Sequence, residues 1–125
     1  MTTKALILDD DRPLMDRLQE FLRVVDAKIG LEKVLLFGST AKEKRRKDSD
    51  IDLIVVSKSF SGLNTIERGK MLLENWSFIE ELDLMMYTPK EFERVSKRLL
   101  VKEMIADALN LAPKNVKVSI RGRTC

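Results

Sequence analysis

Two short apolar runs, Val34–Phe37 and Leu53–Val56, flank a polar stretch that opens with Gly38-Ser39 and closes with Asp50-Ile51-Asp52. No other feature restricts the fold as much. Short apolar runs bounded by turn signals read as buried strands. The second is apolar at every position, as expected of a central strand covered on both faces. The segment from Ser49 to Val56 is therefore expected to be one strand, and on a strand Asp50 and Asp52 project to the same side. Two carboxylates that close raise each other's cost of ionisation. A divalent cation between them removes that cost. Oxygen-only ligands suit magnesium, which takes one or two carboxylates together with waters and substrate phosphates.

The Gly38-Ser39 end supplies the complement. Gly38 permits a sharp turn and close approach of a ligand to the backbone, and Ser39 offers a hydroxyl. Residues Thr40 to Lys44 form helix well enough to make a short one, and a helix N-terminus favours phosphate. The stretch reads as a polyphosphate site at one end and the metal that neutralises it at the other. Five basic residues and Glu43 fill Lys42 to Lys47. They read equally as a grip on triphosphate or on an acidic partner, and as a solvated loop.

Gly38-Ser39, ten intervening residues and Asp50-Ile51-Asp52 resemble the motif of the nucleotidyltransferase superfamily that includes DNA polymerase beta. The closer likeness is to its small stand-alone prokaryotic members, the minimal nucleotidyltransferases. Those usually carry Arg-Gly where this chain has Lys42-Glu43, so one loop glycine is missing and one positive charge is kept. The resemblance runs from about Leu31 to Phe92. It implies an α/β fold with a small mixed β-sheet flanked by helices. It implies metal-dependent transfer of a nucleoside monophosphate, AMP from ATP or the equivalent from another triphosphate, to an acceptor hydroxyl. Asp50 and Asp52 would hold magnesium or manganese, and Gly38, Ser39 and Lys42 would bind the nucleotide. A later strand carries a third carboxylate in the family. Asp83, within Glu81 to Tyr87, is the matching position, with Glu80 and Glu81 as weaker candidates. The apolar neighbours of Asp83 make it costly as a purely structural residue. Met85 and Tyr87 share its face, which reads as open, whereas Leu82, Leu84 and Met86 read as core. Proteins of this kind commonly act as antitoxins to a helical HEPN-type toxin, some by attaching AMP to it. A catalytically silent antitoxin that works by contact alone is the competing expectation.

The 125 residues fit one domain, expected to have its core at about 12–111 and arms at 1–11 and 112–125. Histidine is absent and the one cysteine is Cys125. Acid–base work therefore falls to carboxylates, lysines or Tyr87, and no internal disulfide can form. No apolar run reaches membrane-spanning length, and a cytoplasmic location is the default expectation. A net charge of +3 gives little footing for direct nucleic-acid binding.

Elsewhere, Leu14, Leu18, Phe21, Leu22, Val25 and Ile29 repeat at helical spacing, so a helix is expected over Arg12 to Ile29. Pro13 would lie in its first turn, Asp9 to Asp11 would cap it, and Gly30 would end it. Ser57 to Asn64 reads as a loop. Thr65 is expected to cap a helix to about Phe78 with Ile66, Leu72, Leu73 and Trp76 inward. Arg68 or Lys70 would lie near the nucleotide or, more simply, on an exposed face. Thr88-Pro89-Lys90-Glu91 forms a capping box that opens a further helix. Its apolar positions, Phe92, Val95, Leu99, Leu100, Ile105 and Leu109, continue to about Asn110 with at most one break. Ala5–Leu8 and Val116–Ile120 are short apolar or alternating runs that fit strands or docked arms.

Overall fold

The computed structural model describes residues 12–38, 51–78 and 80–111. The first helix, α1 (Leu14–Ile29), begins after Pro13, which sits at the cap and not in the first turn. Asp9 to Asp11 lie outside the described residues, as do Ala5–Leu8 and Val116–Ile120. Its core face is the predicted one. Leu18, Phe21, Leu22 and Val25 are all buried, at the spacing of one helical stripe. Each such side chain contributes roughly 1.5–3 kcal/mol of apolar burial. Gly30 ends the helix at a φ of 77°, with its N–H donating to the Asp26 carbonyl, a backbone position suited to glycine.

Two strands follow, β1 (Lys33–Phe37) and β2 (Ile51–Val56), paired antiparallel. After β2 the chain makes a 3-10 turn at Lys58–Phe60 and enters α2 (Thr65–Leu73). It then returns as β3 (Leu82–Tyr87), which pairs parallel to β2. Next come α3 (Pro89–Val95), α4 (Leu99–Ala106) and a two-residue strand, β4 (Leu109–Asn110), antiparallel to β1. The order across the sheet is β3-β2-β1-β4, so β2 is central, as its unbroken apolar run required.

The sheet separates two apolar layers. On one face, Val34, Leu36, Ile51, Leu53 and Val55 pack with the α1 stripe, Phe60, Leu72 and Trp76, and Leu82, Leu84 and Met86 border this layer. On the other, Leu35, Ile54 and Val56 meet Phe37, Met85, Tyr87, Phe92, Ile105 and Ala108. The second layer is smaller and lies under α3 and α4.

Several expectations change. The segment after Ser57 is not a plain loop. Phe60 is fully buried, and the hydroxyls of Ser57 and Ser59 donate to the carbonyls of Gly30 and Ile29. Asn64, not Thr65, caps α2, in a reciprocal capping box with Glu67. This helix ends at Leu73, and Ile66 and Leu73 face outward, 82% and 42% exposed. Gly69 is what turns toward the sheet. A Cβ there would lie 3.8 Å from the Met86 Cε atom, so the close approach of α2 to β3 replaces the inward side chains expected at Ile66 and Leu73. The capping box at Thr88 and Glu91 forms as read. The helix it opens, however, breaks over Ser96 to Arg98, and Leu99 and Leu100 at the start of α4 are exposed. Leu109 is drawn from the helical pattern into β4. There it satisfies the edge of β1, and the Leu111 N–H extends the ladder to the Val34 carbonyl.

Two arginines tie the helices to the sheet, and neither role was legible. Arg17 is buried on α1 and meets the Glu80 carboxylate with both terminal nitrogens, at 2.8 and 2.9 Å. It also lies over the Phe78 ring. Arg68 reaches from α2 to Glu91 on α3, at 2.7 and 3.1 Å, and also donates to the carbonyls of Met86 and Leu63. Arg68 is thus a strut between α2, β3 and α3 and not part of an exposed face.

The Arg68 hydrogen bonds come first, with the Thr88 N–H adding to them, in holding the Glu91 carboxyl well below the usual carboxylate range, at about 2. A depressed carboxyl stabilises the fold above its unfolded value and loses that contribution as pH falls through the folded value. Acid unfolding should therefore show a stability loss between about pH 4.5 and 2 that Glu91→Gln removes. Glu91 is 35% exposed, so solvent screening holds its share to about 1 kcal/mol. Chemical denaturation across this pH range measures it. An unchanged pH slope in the variant would contradict the assignment.

Candidate active site

Registered partners on neighbouring strands carry their side chains on the same face. Phe37 on β1 is opposite Asp52 on β2, and Asp52 is opposite Asp83 on β3. These three form one row across the sheet. The next row is Leu35, Ile54 and Met85, and the next Lys33, Val56 and Tyr87. The two lower rows lie in the smaller apolar layer beneath α3 and α4. The acidic row stands at its rim, with Asp52 half-buried and Asp83 exposed. Neighbouring strands lie about 4.8 Å apart, so the two carboxylates are set side by side by backbone pairing.

Gly38 closes this end of the sheet. It follows β1 with a φ of 77°, and a Cβ on it would lie 2.5 Å from the Asp52 Oδ2 atom. That is well inside contact distance. The glycine expected for a turn is also the residue that lets the backbone lie directly against the Asp52 carboxylate.

Of the predicted site residues, the structure brings Gly38, Asp52 and Asp83 together. Ser39, Lys42 and Asp50 lie outside the described residues. Among the described residues no third Asp, Glu, His or Cys joins the pair to make a group of three. Glu80 is held by Arg17, which removes it as a site acid. Glu81 is exposed, one residue before β3. Asp83 and its face differ from expectation in two respects. Asp83 is exposed, so it does not bear the desolvation cost inferred from its apolar neighbours; register places it beside Asp52. The Met85 and Tyr87 end of its face is not open. Tyr87 is partly buried against Phe92. Four residues along the strand from Asp83, it is roughly 13 Å away and outside acid–base reach of this site.

The donors on this row are oxygens alone, and the chain has no histidine. Adjacent carboxylates of this kind fit a hard divalent cation such as magnesium or manganese and not a nitrogen- or sulfur-ligated metal.

The sequence profile of the nucleotidyltransferase domain family matches residues 18–125. The chain belongs to this family. The solved structures it resembles agree in fold. A provisionally assigned nucleotidyltransferase from Sulfolobus solfataricus superposes with a TM-score of 0.56 at 22% identity, covering 78% of each chain. A toxin–antitoxin structure with AMP-PNP gives 0.54 at 19% identity, covering 87% of this chain and 89% of that one. A mutant of the toxin–antitoxin MntA-HpeT, in which two aspartates two positions apart are replaced by glutamate, gives 0.54 at 17% identity with the same coverage. No curated protein matches the chain. The mixed four-stranded sheet with its flanking helices is therefore the nucleotidyltransferase fold expected from the motif. Among the described residues no helix is long and apolar enough to cross a membrane.

Gly38→Ala tests the close approach. The left-handed backbone alone costs an L-residue roughly 1–2 kcal/mol, and the added methyl must also displace the Asp52 carboxylate. The melting temperature should fall. In the Asp52→Ala background, where the clashing carboxylate is gone, the further loss from Gly38→Ala should shrink to the backbone cost. Equal losses in both backgrounds would contradict the contact.

Proposed function

We propose that this protein is a divalent-metal-dependent nucleotidyltransferase. It transfers a nucleoside monophosphate, AMP from ATP in the simplest case, to an acceptor hydroxyl and releases pyrophosphate. The single observation that carries the reading is the registered pair Asp52 and Asp83 beneath the Gly38 turn, in a chain of the nucleotidyltransferase family. The paired-aspartate mutant of a structurally similar toxin–antitoxin protein and the AMP-PNP of another support the same reading.

In this account Asp52 and Asp83, with Asp50 two positions before Asp52 in the sequence, hold one or two magnesium or manganese ions. Such ions, when bound, neutralise a triphosphate and lower the pKa of a coordinated hydroxyl. The chain's own residues do the rest. Gly38 and Ser39 present backbone and hydroxyl groups to the phosphates, and Lys42 adds one positive charge. Asp83, the exposed carboxylate, takes the proton of the attacking hydroxyl at its carboxylate oxygen. A new oxygen–phosphorus bond forms at the α-phosphate as the bond to pyrophosphate breaks. The protein's contribution is positioning and charge neutralisation.

The acceptor in this reading is a hydroxyl on a partner protein, a HEPN-type toxin, and the chain acts as its antitoxin in the cytoplasm. The toxin–antitoxin neighbours support a protein partner. Exposed Leu99 and Leu100 on α4 also favour the second reading, in which the chain silences a partner by contact without transfer.

Incubation with α-labelled ATP, GTP, CTP and UTP, with and without a candidate HEPN-type partner, tests the choice. Label should move to the acceptor only with magnesium or manganese. Asp52→Asn and Asp83→Asn should each lower transfer at least roughly a hundredfold, since each removes a charge aimed at the reacting centre. Without metal the Asp83→Asn variant should melt at or above the wild-type temperature, because its carboxylate is exposed and one of two neighbouring like charges is gone. Full neutralisation of the partner by the two variants, with no label transferred by wild type, would establish the contact-only reading instead. A fall in its metal-free melting temperature would make Asp83 structural.

A further inference from the structure

The row that carries Asp52 and Asp83 continues on its other side into a cleft. Phe37, Gly38 and three residues of the α4 end, Glu103, Met104 and Asp107, line a cavity of about 180 Å³. Phe37 separates this cavity from Asp52 by one strand position. Its size falls below the roughly 300–1,000 Å³ of sites that enclose a whole drug-sized ligand, so it takes a fragment of a nucleotide and not all of it.

The lining has two kinds of surface. Phe37 and Met104 are an aromatic ring and a polarisable thioether, both half-buried, and such groups favour flat rings. The polar side chains are both carboxylates, Glu103 and Asp107. Ionised carboxylates only accept hydrogen bonds. They also repel phosphate, so a nucleotide reaching this end of the row presents its base and keeps its phosphates toward the metal-neutralised aspartates.

We infer that the cleft between Phe37 and α4 is the base-recognition subsite, and that Glu103 selects bases bearing an exocyclic amino group. Adenine offers its N6 amino group, cytosine its N4 and guanine its N2, whereas uracil has no amino group, and its one ring donor, N3–H, lies between two carbonyl oxygens that a carboxylate repels. Glu103 is a specificity-determining residue and takes no part in the bond-making step. This inference rests on the nucleotidyltransferase reading, but its test is separate from that one.

The test is calorimetric binding of ATP and UTP, each with magnesium, to the full chain and to its Glu103→Gln and Met104→Ala variants. Wild type should bind ATP roughly tenfold or more tighter than UTP, within the range for one well-made base contact. Glu103→Gln places an amide donor where uracil presents O4. It should bring the two affinities to within about threefold by weakening ATP and strengthening UTP. Met104→Ala should weaken both nucleotides alike. Glu103 is exposed, so an unchanged melting temperature confirms that the variant folds. Tight binding of both nucleotides with no change in either variant would overturn the subsite and leave the transferase reading standing. Absence of any nucleotide binding by wild type would overturn both.

Discussion

The parallel pairing of β2 with β3 is the constraint on which the site depends. Its register puts Asp52 against Asp83 and, beneath them, Ile54 against Met85 and Val56 against Tyr87. A slip of one residue would turn each of these side chains to the other face. The apolar rows hold that register because both faces are covered, by α1 and α2 on one side and by α3 and α4 on the other. Two like charges are thus kept adjacent by packing that does not involve them. The register alone sets them on neighbouring strands at one end of the sheet, and the proposed cation site rests on that placement.

The same logic accounts for the two arginine–glutamate pairs. A parallel connection must carry the chain from the end of β2 back to the start of β3, and here it does so through α2. Arg17–Glu80 fastens α1 to the segment that enters β3. Arg68–Glu91 fastens α2 to the helix that leaves it. Both ends of β3 are thereby tied to helices, which fixes the strand that carries Asp83. In the Arg17–Glu80 pair, the more buried of the two, losing one partner costs more than the pair's own net contribution.

Much of this was legible in the sequence. The unbroken Leu53–Val56 run marked the central strand, the α1 stripe marked one core face, and the Thr88–Glu91 capping box marked the start of α3. The motif around Gly38 and Asp52 located the end of the sheet where the Gly38 turn meets the Asp52 carboxylate. What could not be read arose from tertiary context. Ile66 and Leu73 fit a helical stripe, yet the approach of Gly69 to Met86 turned them outward. Leu109 fits the helix period but completes the edge of β1. Phe60 sits in an apparent loop of serines and glycine, and only the layer beneath it shows why it is buried. Asp83 could be singled out by its neighbours, but the cause of its placement is register, which one strand's sequence does not contain. Glu103 and Met104 carry no motif at all, and only the fold sets them beside Phe37.

The central claim is that Asp52 and Asp83 together form a cation site that serves a nucleotide. Anomalous diffraction from crystals grown with manganese and a non-hydrolysable ATP analogue tests it most directly. The account predicts a manganese peak contacted by carboxylate oxygens of both Asp52 and Asp83, with the triphosphate on the same ion. Manganese bound elsewhere, or nucleotide bound with neither aspartate touching metal, would contradict it.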